Sequence, residues 1–432
     1  MKITVVGTGY VGLVTGVCLS EVDTGYVTCL DIDSYKIGQL KKGISPIYEN
    51  DLEDLINKNI KKGTLEFTTD YKSAYKDADI IILAVGTPPK DDGSANLEYL
   101  FKACDEIIET ISKDILIVVK STVPIGTCTM LEKYINDKLN NGISVEVASN
   151  PEFLAQGSAV KDTLYASRIV IGVNSKHAKD LLENLYKNFN IPIVCVSRES
   201  SEMIKYASNS FLALKISYIN DIANLCEKVG ANIQDVVKGM QYDERIGDKF
   251  LNAGIGYGGS CFPKDTKALY SLANKYDYDL KTVKATIDVN EYQKLRLIEN
   301  AKEIVGSFKN LEVAILGVTF KPGTDDLRDA PSIPNIKYLL ENGAKVRIYD
   351  PVGLNNYKKL YKENNVVYTD NIDECIKGTH LCLIMTEWSE IVNYDLEKYK
   401  KLMKTPIVLD GRNCYKISKI RDMGIEYYSI GR

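Results

Sequence analysis

Apolar positions along the chain fall into two regimes. In the first 200 residues, short apolar runs of strand length alternate with stretches of helical length. "KITVVG", "VTCLD", "DIIILAV", "ILIVVK", "SVEVAS" and "RIVIG" read as strands, residues 10 to 21 as a helix, and a second helix starts at Ser34. Near-continuous apolar strands separated by helices predict a parallel, doubly wound sheet. From Ser200 the rhythm changes. "SSEMIKYASNSFLALKISYINDIANLCEKVG" reads as one long helix, capped by Ser200 or Ser201 and stopped by Gly230. Its apolar residues run nearly all round, which predicts burial on more than one side. Further helices follow to about residue 306. Strand rhythm then returns in "LEVAILG", "KVRIYDP", "THLCLIMT" and "PIVLDG", while "FKPGTDDLRDAPS" reads as a loop. The fold class expected is α/β: two doubly wound Rossmann-like domains joined by a long central helix and a small helical domain. The boundaries are 1–196 for a dinucleotide-binding domain, 197–306 for a helical central domain and 307–432 for a second α/β domain.

Composition narrows the class. The 432 residues are 45% hydrophobic, with a net charge of −4 and no Lys/Arg-rich block. This excludes a disordered chain and argues against nucleic acid or an anionic membrane as partner. Every apolar run is too short to span a bilayer, and "MKITVVGTGYVG" shows no signal-peptide pattern. Ten cysteines include no Cys-x-x-Cys pair, and most lie in apolar runs. That favours a reducing, cytoplasmic setting and argues against a metal site. The two histidines, His177 and His380, lie beside no motif.

"GTGYVG" directly follows the first strand and opens a helix. Gly7 makes the tight turn, Gly9 lets backbone approach a pyrophosphate, and Gly12 lets helix pack on strand. Asp31 ends the second strand, nineteen residues after Gly12. A carboxylate there accepts from ribose hydroxyls and repels a 2′-phosphate, so NAD is expected rather than NADP.

"GYGGSCFPKDTKAL" carries the candidate chemistry. Pro263 suits a first helical turn, which sets Cys261 at the positive end of a helix with Lys264 close by in sequence. Both effects favour thiolate. An alcohol oxidised to an aldehyde needs no thiol. An aldehyde oxidised further does, because it has no hydride to give until a nucleophile adds. Cys261 therefore predicts a four-electron oxidation through a thioester. Lys205 and Asn209, four residues apart on the long helix, can donate to an oxyanion; the same pair also fits a solvated helix end. Asp265 can position water or carry a proton, and it equally fits an ordinary acid in a first helical turn.

These residues lie within a wider set of motifs: "GTGYVGLVTG", "SPIYENDLEDLI", "AVGTPPKDDGSANLEYL", "KSTVPIGT", "NPEFLAQGSAV", "GYGGSCFPKDTKAL" and "LGVTFKPGTDDLRDAPS". In this order they resemble the nucleotide-sugar 6-dehydrogenase family, in its UDP-glucose branch, over nearly the whole chain. The resemblance implies oxidation of UDP-glucose to UDP-glucuronate with two NAD, by a homodimer built on the central helix. It makes Cys261 the nucleophile, with Lys205 and Asn209 steadying the oxyanion. Asp265 and Thr122 would hold the water, and Glu152 would assist hydrolysis or proton transfer. Around NAD it implies Tyr10, Val11, Asp31, Lys36, Thr87, Thr122, Gln156, Lys264 and Arg328. Around the sugar nucleotide it implies Glu152, Phe153, Leu154, Lys205 and Asn209, the run Phe250, Leu251, Asn252, Ala253 and Gly254, and Gly258 and Lys321.

One departure bears on chemistry. Many members of that family carry an acid where this chain has Gln156; a carboxamide can hydrogen-bond NAD but cannot act as a base, so Glu152 becomes the stronger proton carrier. The alternatives are the same oxidation on GDP-mannose or a UDP-N-acetyl-hexosamine, and a non-catalytic nucleotide-sugar-binding scaffold. Retention of Cys261, Lys205, Asn209 and Asp265 together speaks against the scaffold.

Overall fold

The computed structural model describes residues 1–139 and 142–432. By internal contacts the chain forms two compact units, Met1–Ser208 and Asn209–Arg432.

The first unit holds an eight-stranded sheet: β1 (Lys2–Val6), β2 (Tyr26–Leu30), β3 (Leu65–Thr68), β4 (Ile80–Leu83), β5 (Ile115–Val119), β6 (Val145–Ser149), β7 (Ile169–Gly172) and β8 (Ile193–Val196). Their spatial order is β3-β2-β1-β4-β5-β6-β7-β8. Strands β1 to β6 pair in parallel, and β6 meets β7 antiparallel at Ser149 and Gly172. The second unit repeats the layout with β9 (Glu312–Leu316), β10 (Lys345–Tyr349), β11 (Val366–Tyr368), β12 (Leu381–Ile384), β13 (Ile407–Asp410) and β14 (Glu426–Ser429), ordered β11-β10-β9-β12-β13-β14 and all parallel. Helices cover both faces of each sheet, so successive residues enter different cores. Ile80 and Ile82 join one apolar layer and Ile81 and Leu83 the other; Val313 and Ile315 separate in the same way from Ala314 and Leu316.

All ten strands expected from the apolar runs are present. The pattern misses β3, β8, β11 and β14, which are the four outermost strands. Each has three or four residues and at least one position open to solvent, so none forms a fully buried run.

The long helix runs Arg198–Val229. It starts earlier than expected. Ser197, rather than Ser200 or Ser201, supplies the capping oxygen, accepting from the Ser200 N–H at 3.2 Å. Gly230 follows its last turn in the left-handed region at φ 76°. It is buried on more than one side, as expected, and open along one face. Phe211, Tyr218, Leu225 and Val229, at spacings of seven, seven and four, are each more than half exposed.

The two sheets share one strand-end device. Gly7 (φ 95°) donates to the Leu30 carbonyl and Gly317 (φ 88°) to the Tyr349 carbonyl, at 2.7 and 2.8 Å. The next backbone N–H in each case reaches an acid closing the neighbouring strand: Thr8 to Asp31 at 2.8 Å, Val318 to Asp350 at 2.7 Å.

Candidate active site

Strand order in the first unit reverses between β1 and β4, and a crevice at the carboxyl ends of the strands belongs at such a switch point. The Gly7–Gly12 turn, Asp31, Thr87, Thr122 and the Asn150–Gln156 segment all follow the carboxyl ends of parallel strands. The three glycines differ in kind. A Cβ on Gly7 would lie 2.7 Å from the Ala84 carbonyl oxygen, and one on Gly12 1.9 Å from the Gly7 carbonyl oxygen, so packing demands both glycines. A Cβ on Gly9 would meet nothing within 4 Å beyond its chain neighbours. Open backbone at the head of the helix Tyr10–Glu21 is a cradle suited to a pyrophosphate.

Asp31 completes the cradle. Its Oδ2 accepts from the Thr8 N–H and O–H at 2.8 and 2.7 Å and from Lys36 Nζ at 3.2 Å; Oδ1 takes the Asp33 N–H at 3.0 Å. Burial alone would raise this carboxyl. The hydrogen bonds from Asp33 and Thr8, helped by Lys36, hold it below the usual value, so it is ionised and able to accept from ribose. These residues fit a dinucleotide.

A second group lies beyond β5 and β6. Lys205, buried on the long helix, donates to the Glu152 carbonyl at 2.7 Å and to Glu152 Oε1 at 2.9 Å, while Glu152 Oε2 accepts the Leu154 N–H at 2.7 Å. The Phe153 ring lies 5.5 Å from the Lys205 ammonium and 4.2 Å from the Arg168 guanidinium. The Thr87 hydroxyl donates to the Thr122 carbonyl at 2.9 Å, joining the two threonine loops. Lys120, to which the sequence reading gives no role, is buried and donates to Asn150 Oδ1 at 2.9 Å. Burial pulls its ammonium down to about 8, with Glu152 opposing and Lys205 adding to the effect. A lysine closing the apolar run "ILIVVK" was the available signal.

The third group lies in the second unit. Cys261 caps the helix Phe262–Lys275, with Pro263 in its first turn. The thiol is partly exposed, 3.7 Å from Ser260 Oγ. Asp265 is buried in that turn and held from two sides: Asn209 Nδ2 donates to Oδ2 and Lys264 Nζ to Oδ1, both at 2.6 Å. Lys205 and Asn209 therefore each donate to a different carboxylate. The glycines before Cys261 are closely packed by other parts of the protein. A Cβ on Gly256 would lie 2.7 Å from Asn290 Oδ1, on Gly258 2.4 Å from the Asp329 carbonyl oxygen, and on Gly259 2.8 Å from the Phe320 ring.

The run Phe250–Gly254 borders a cavity of about 510 Å³ through Leu251, Asn252, Ala253 and Gly254. Phe250 holds a left-handed backbone at φ 62°, with its ring 6.1 Å from Phe262. Asn220 and Gln293 fix Gly254 by its N–H and carbonyl at 2.8 and 2.7 Å. Arg412, passed over in the sequence, lines the same cavity and donates to the Gly256 and Phe320 carbonyls at 3.3 and 3.0 Å. Lys321 lies 5.7 Å from the Phe320 ring. Arg328 forks onto Asp326, at 2.9 Å from Nε to Oδ1 and 2.6 Å from its terminal nitrogen to Oδ2.

Among the described residues no group of three His, Cys, Asp or Glu side chains is placed to hold a metal ion, and no helix is long and apolar enough to cross a membrane. None of the ten cysteines is in a disulfide.

A doubly wound sheet with an open glycine turn and an acid at the end of the second strand fits an NAD-dependent dehydrogenase. Comparison with known proteins sharpens this. Residues 1–190, 199–292 and 314–417 match, in turn, the NAD binding, central and UDP binding domains of the UDP-glucose/GDP-mannose dehydrogenase family, and the chain belongs to that family. A relative, UDP-glucose 6-dehydrogenase YwqF of Bacillus subtilis, is 48% identical across 100% of this chain and 98% of its own length. A UDP-glucose dehydrogenase structure from Pyrobaculum islandicum has a TM-score of 0.92 at 33% identity, covering 99% of this chain and 96% of that one. A UDP-D-ManNAc dehydrogenase structure from Pyrococcus horikoshii has a TM-score of 0.88 at 27% identity, covering 100% and 99%.

Proposed function

We propose that the protein oxidises UDP-glucose to UDP-glucuronate, using two NAD for each sugar. The observation that carries this reading is Cys261 at the head of a helix whose first turn holds the clamped Asp265, in a chain this similar to UDP-glucose 6-dehydrogenases.

The Gly7–Gly12 turn with Tyr10 and Val11, together with Asp31, Lys36, Thr87, Thr122, Gln156, Lys264 and Arg328, would hold NAD. When bound, NAD supplies the hydride acceptor for both oxidations. Phe153, Leu154, the run Phe250–Gly254, Gly258 and Lys321 hold the sugar nucleotide. After the first oxidation the terminal carbon is an aldehyde. Cys261 Sγ adds to it, and the resulting hemithioacetal has a C–H bond that the second oxidation can break, leaving a thioester on Cys261. Lys205 and Asn209 steady the oxygen that carries charge as sulfur adds. Asp265 and Thr122 hold the water that cleaves the C–S bond, releasing the acid and restoring the thiol. Glu152, ion-paired to Lys205, relays a proton; Gln156 has no such capacity.

Three working domains with limits at 196 and 306, a cytoplasmic setting and a homodimer belong to the same reading. The exposed apolar residues Phe211, Tyr218, Leu225 and Val229 support assembly through the central helix. The test is stoichiometry: absorbance should show two NADH per UDP-glucose, and Cys261→Ser should lower acid formation about a thousandfold or more. One NADH per sugar, or unchanged turnover in Cys261→Ser, would overturn the thioester route. Faster turnover of GDP-mannose or a UDP-N-acetyl-hexosamine would reassign the substrate.

A further inference from the structure

The motif "SPIYEND" has no part in the reaction as derived, yet it reaches two loops that do. Glu49 is half-buried, and its carboxylate takes three donors from two distant parts of the first unit. Oε1 accepts the Ala159 N–H at 2.8 Å, and Oε2 accepts the Gly157 N–H at 2.7 Å and the Tyr10 hydroxyl. The Tyr10 oxygen also meets the Tyr48 carbonyl and the Gly157 N–H, both at 3.1 Å, and Asn50 Nδ2 donates to the Gly157 carbonyl at 3.2 Å. Gly157 itself turns in the left-handed region at φ 86°. One carboxylate thus joins the residue that opens the helix after the glycine turn to the turn that follows Gln156.

We propose that Glu49 is a positioning residue that locks the Glu152–Ser158 segment to the dinucleotide turn through Tyr10. The inference rests on the reading of residues 7–12 as the NAD turn and of Glu152 and Gln156 as its working neighbours. The chemistry calls for a carboxylate. Two backbone N–H groups and a phenol all donate, and an ionised acid is acceptor on both oxygens. A carboxamide of the same shape has one accepting oxygen, so its NH₂ would face a donor.

The experiment compares wild type with Glu49→Gln and Tyr10→Phe. Without ligand, hydrogen exchange at the Gly157 and Ala159 amides should quicken about tenfold in Glu49→Gln, while the core strands keep their protection. Turnover of UDP-glucose should fall about tenfold, and the double variant should lose no more than the worse single one, because both changes open the same clasp. Glu49→Asp, which keeps the charge, should recover part of the loss. Unchanged exchange at those two amides, or losses that multiply in the double variant, would overturn the proposal. A wild type that turns over no UDP-glucose would instead sink the functional reading, and the exchange comparison would still decide the clasp.

Discussion

Asn209 donates its carboxamide N–H to Asp265 Oδ2 at 2.6 Å, while Lys264 closes on the other carboxylate oxygen at the same distance. Asp265 is therefore held on both oxygens inside a buried turn. A carboxylate held in this way fixes its two donors in return.

Asp265→Ala leaves a buried carboxamide and an ammonium without their acceptor. Unfolding stability should drop by about 2–4 kcal/mol, with turnover lost. Asp265→Asn keeps the shape and should cost less stability, yet still lose most turnover. Urea denaturation and NADH formation, measured on both variants, separate the two effects. Equal stability in Asp265→Ala would show that the clamp contributes nothing.

The glycine turn offers a matched pair. Gly12→Ala drives a methyl to 1.9 Å from the Gly7 carbonyl oxygen, so the turn must deform, at a cost of about 1–3 kcal/mol. Gly9→Ala meets no protein atom within 4 Å other than its chain neighbours and should melt like wild type, while binding NADH about tenfold more weakly. Fluorescence titration with NADH checks this. Full affinity in Gly9→Ala would refute the pyrophosphate cradle.

Lys120 sets a pH dependence. Its ammonium is lowered from 10.5 to about 8 in the fold. Between these values the unfolded chain carries the proton and the folded chain does not, so this group makes stability rise with pH across that window. Measured against Lys120→Met, the wild type should gain about 1 kcal/mol from pH 7 to pH 9. A difference that stays constant with pH would show that Lys120 keeps its ordinary affinity for protons.

The exposed stripe on the long helix predicts assembly. Leu225→Glu places a charge among Tyr218, Val229 and their neighbours and should shift the protein toward monomer in sedimentation equilibrium, with the fold retained by circular dichroism. Wild type sedimenting as a monomer at micromolar concentration would remove the helix as an interface.

Much of this was legible in the sequence. Gly7, Gly9, Gly12 and Asp31 declare themselves because each role is local: a turn, a helix start, a strand end. Cys261 does so through Pro263, which marks the helix it heads. What escaped depends on distant partners. Lys120 finds Asn150 on the neighbouring strand end, thirty positions along the chain. The packing at Gly258 and Gly259 comes from Asp329 and Phe320, some sixty to seventy residues on. Lys205 and Asn209 share a helix face, but spacing alone does not say that each meets a different carboxylate. The outer strands β3, β8, β11 and β14 escaped because a strand with one neighbour carries little apolar signature.

Asp350 closes β10 as Asp31 closes β2, but it is saturated. Oδ2 takes the Val318 and Thr319 N–H groups, the Thr319 hydroxyl and the Trp388 indole, and Oδ1 takes the Val352 and Gly353 N–H groups. One blueprint has thus been put to two uses. In the first half the strand-end acid still has capacity for a visitor, so its replacement would retune which coenzyme is welcomed. In the second half the equivalent acid has become a keystone, and its replacement would bring down the arch without changing any preference.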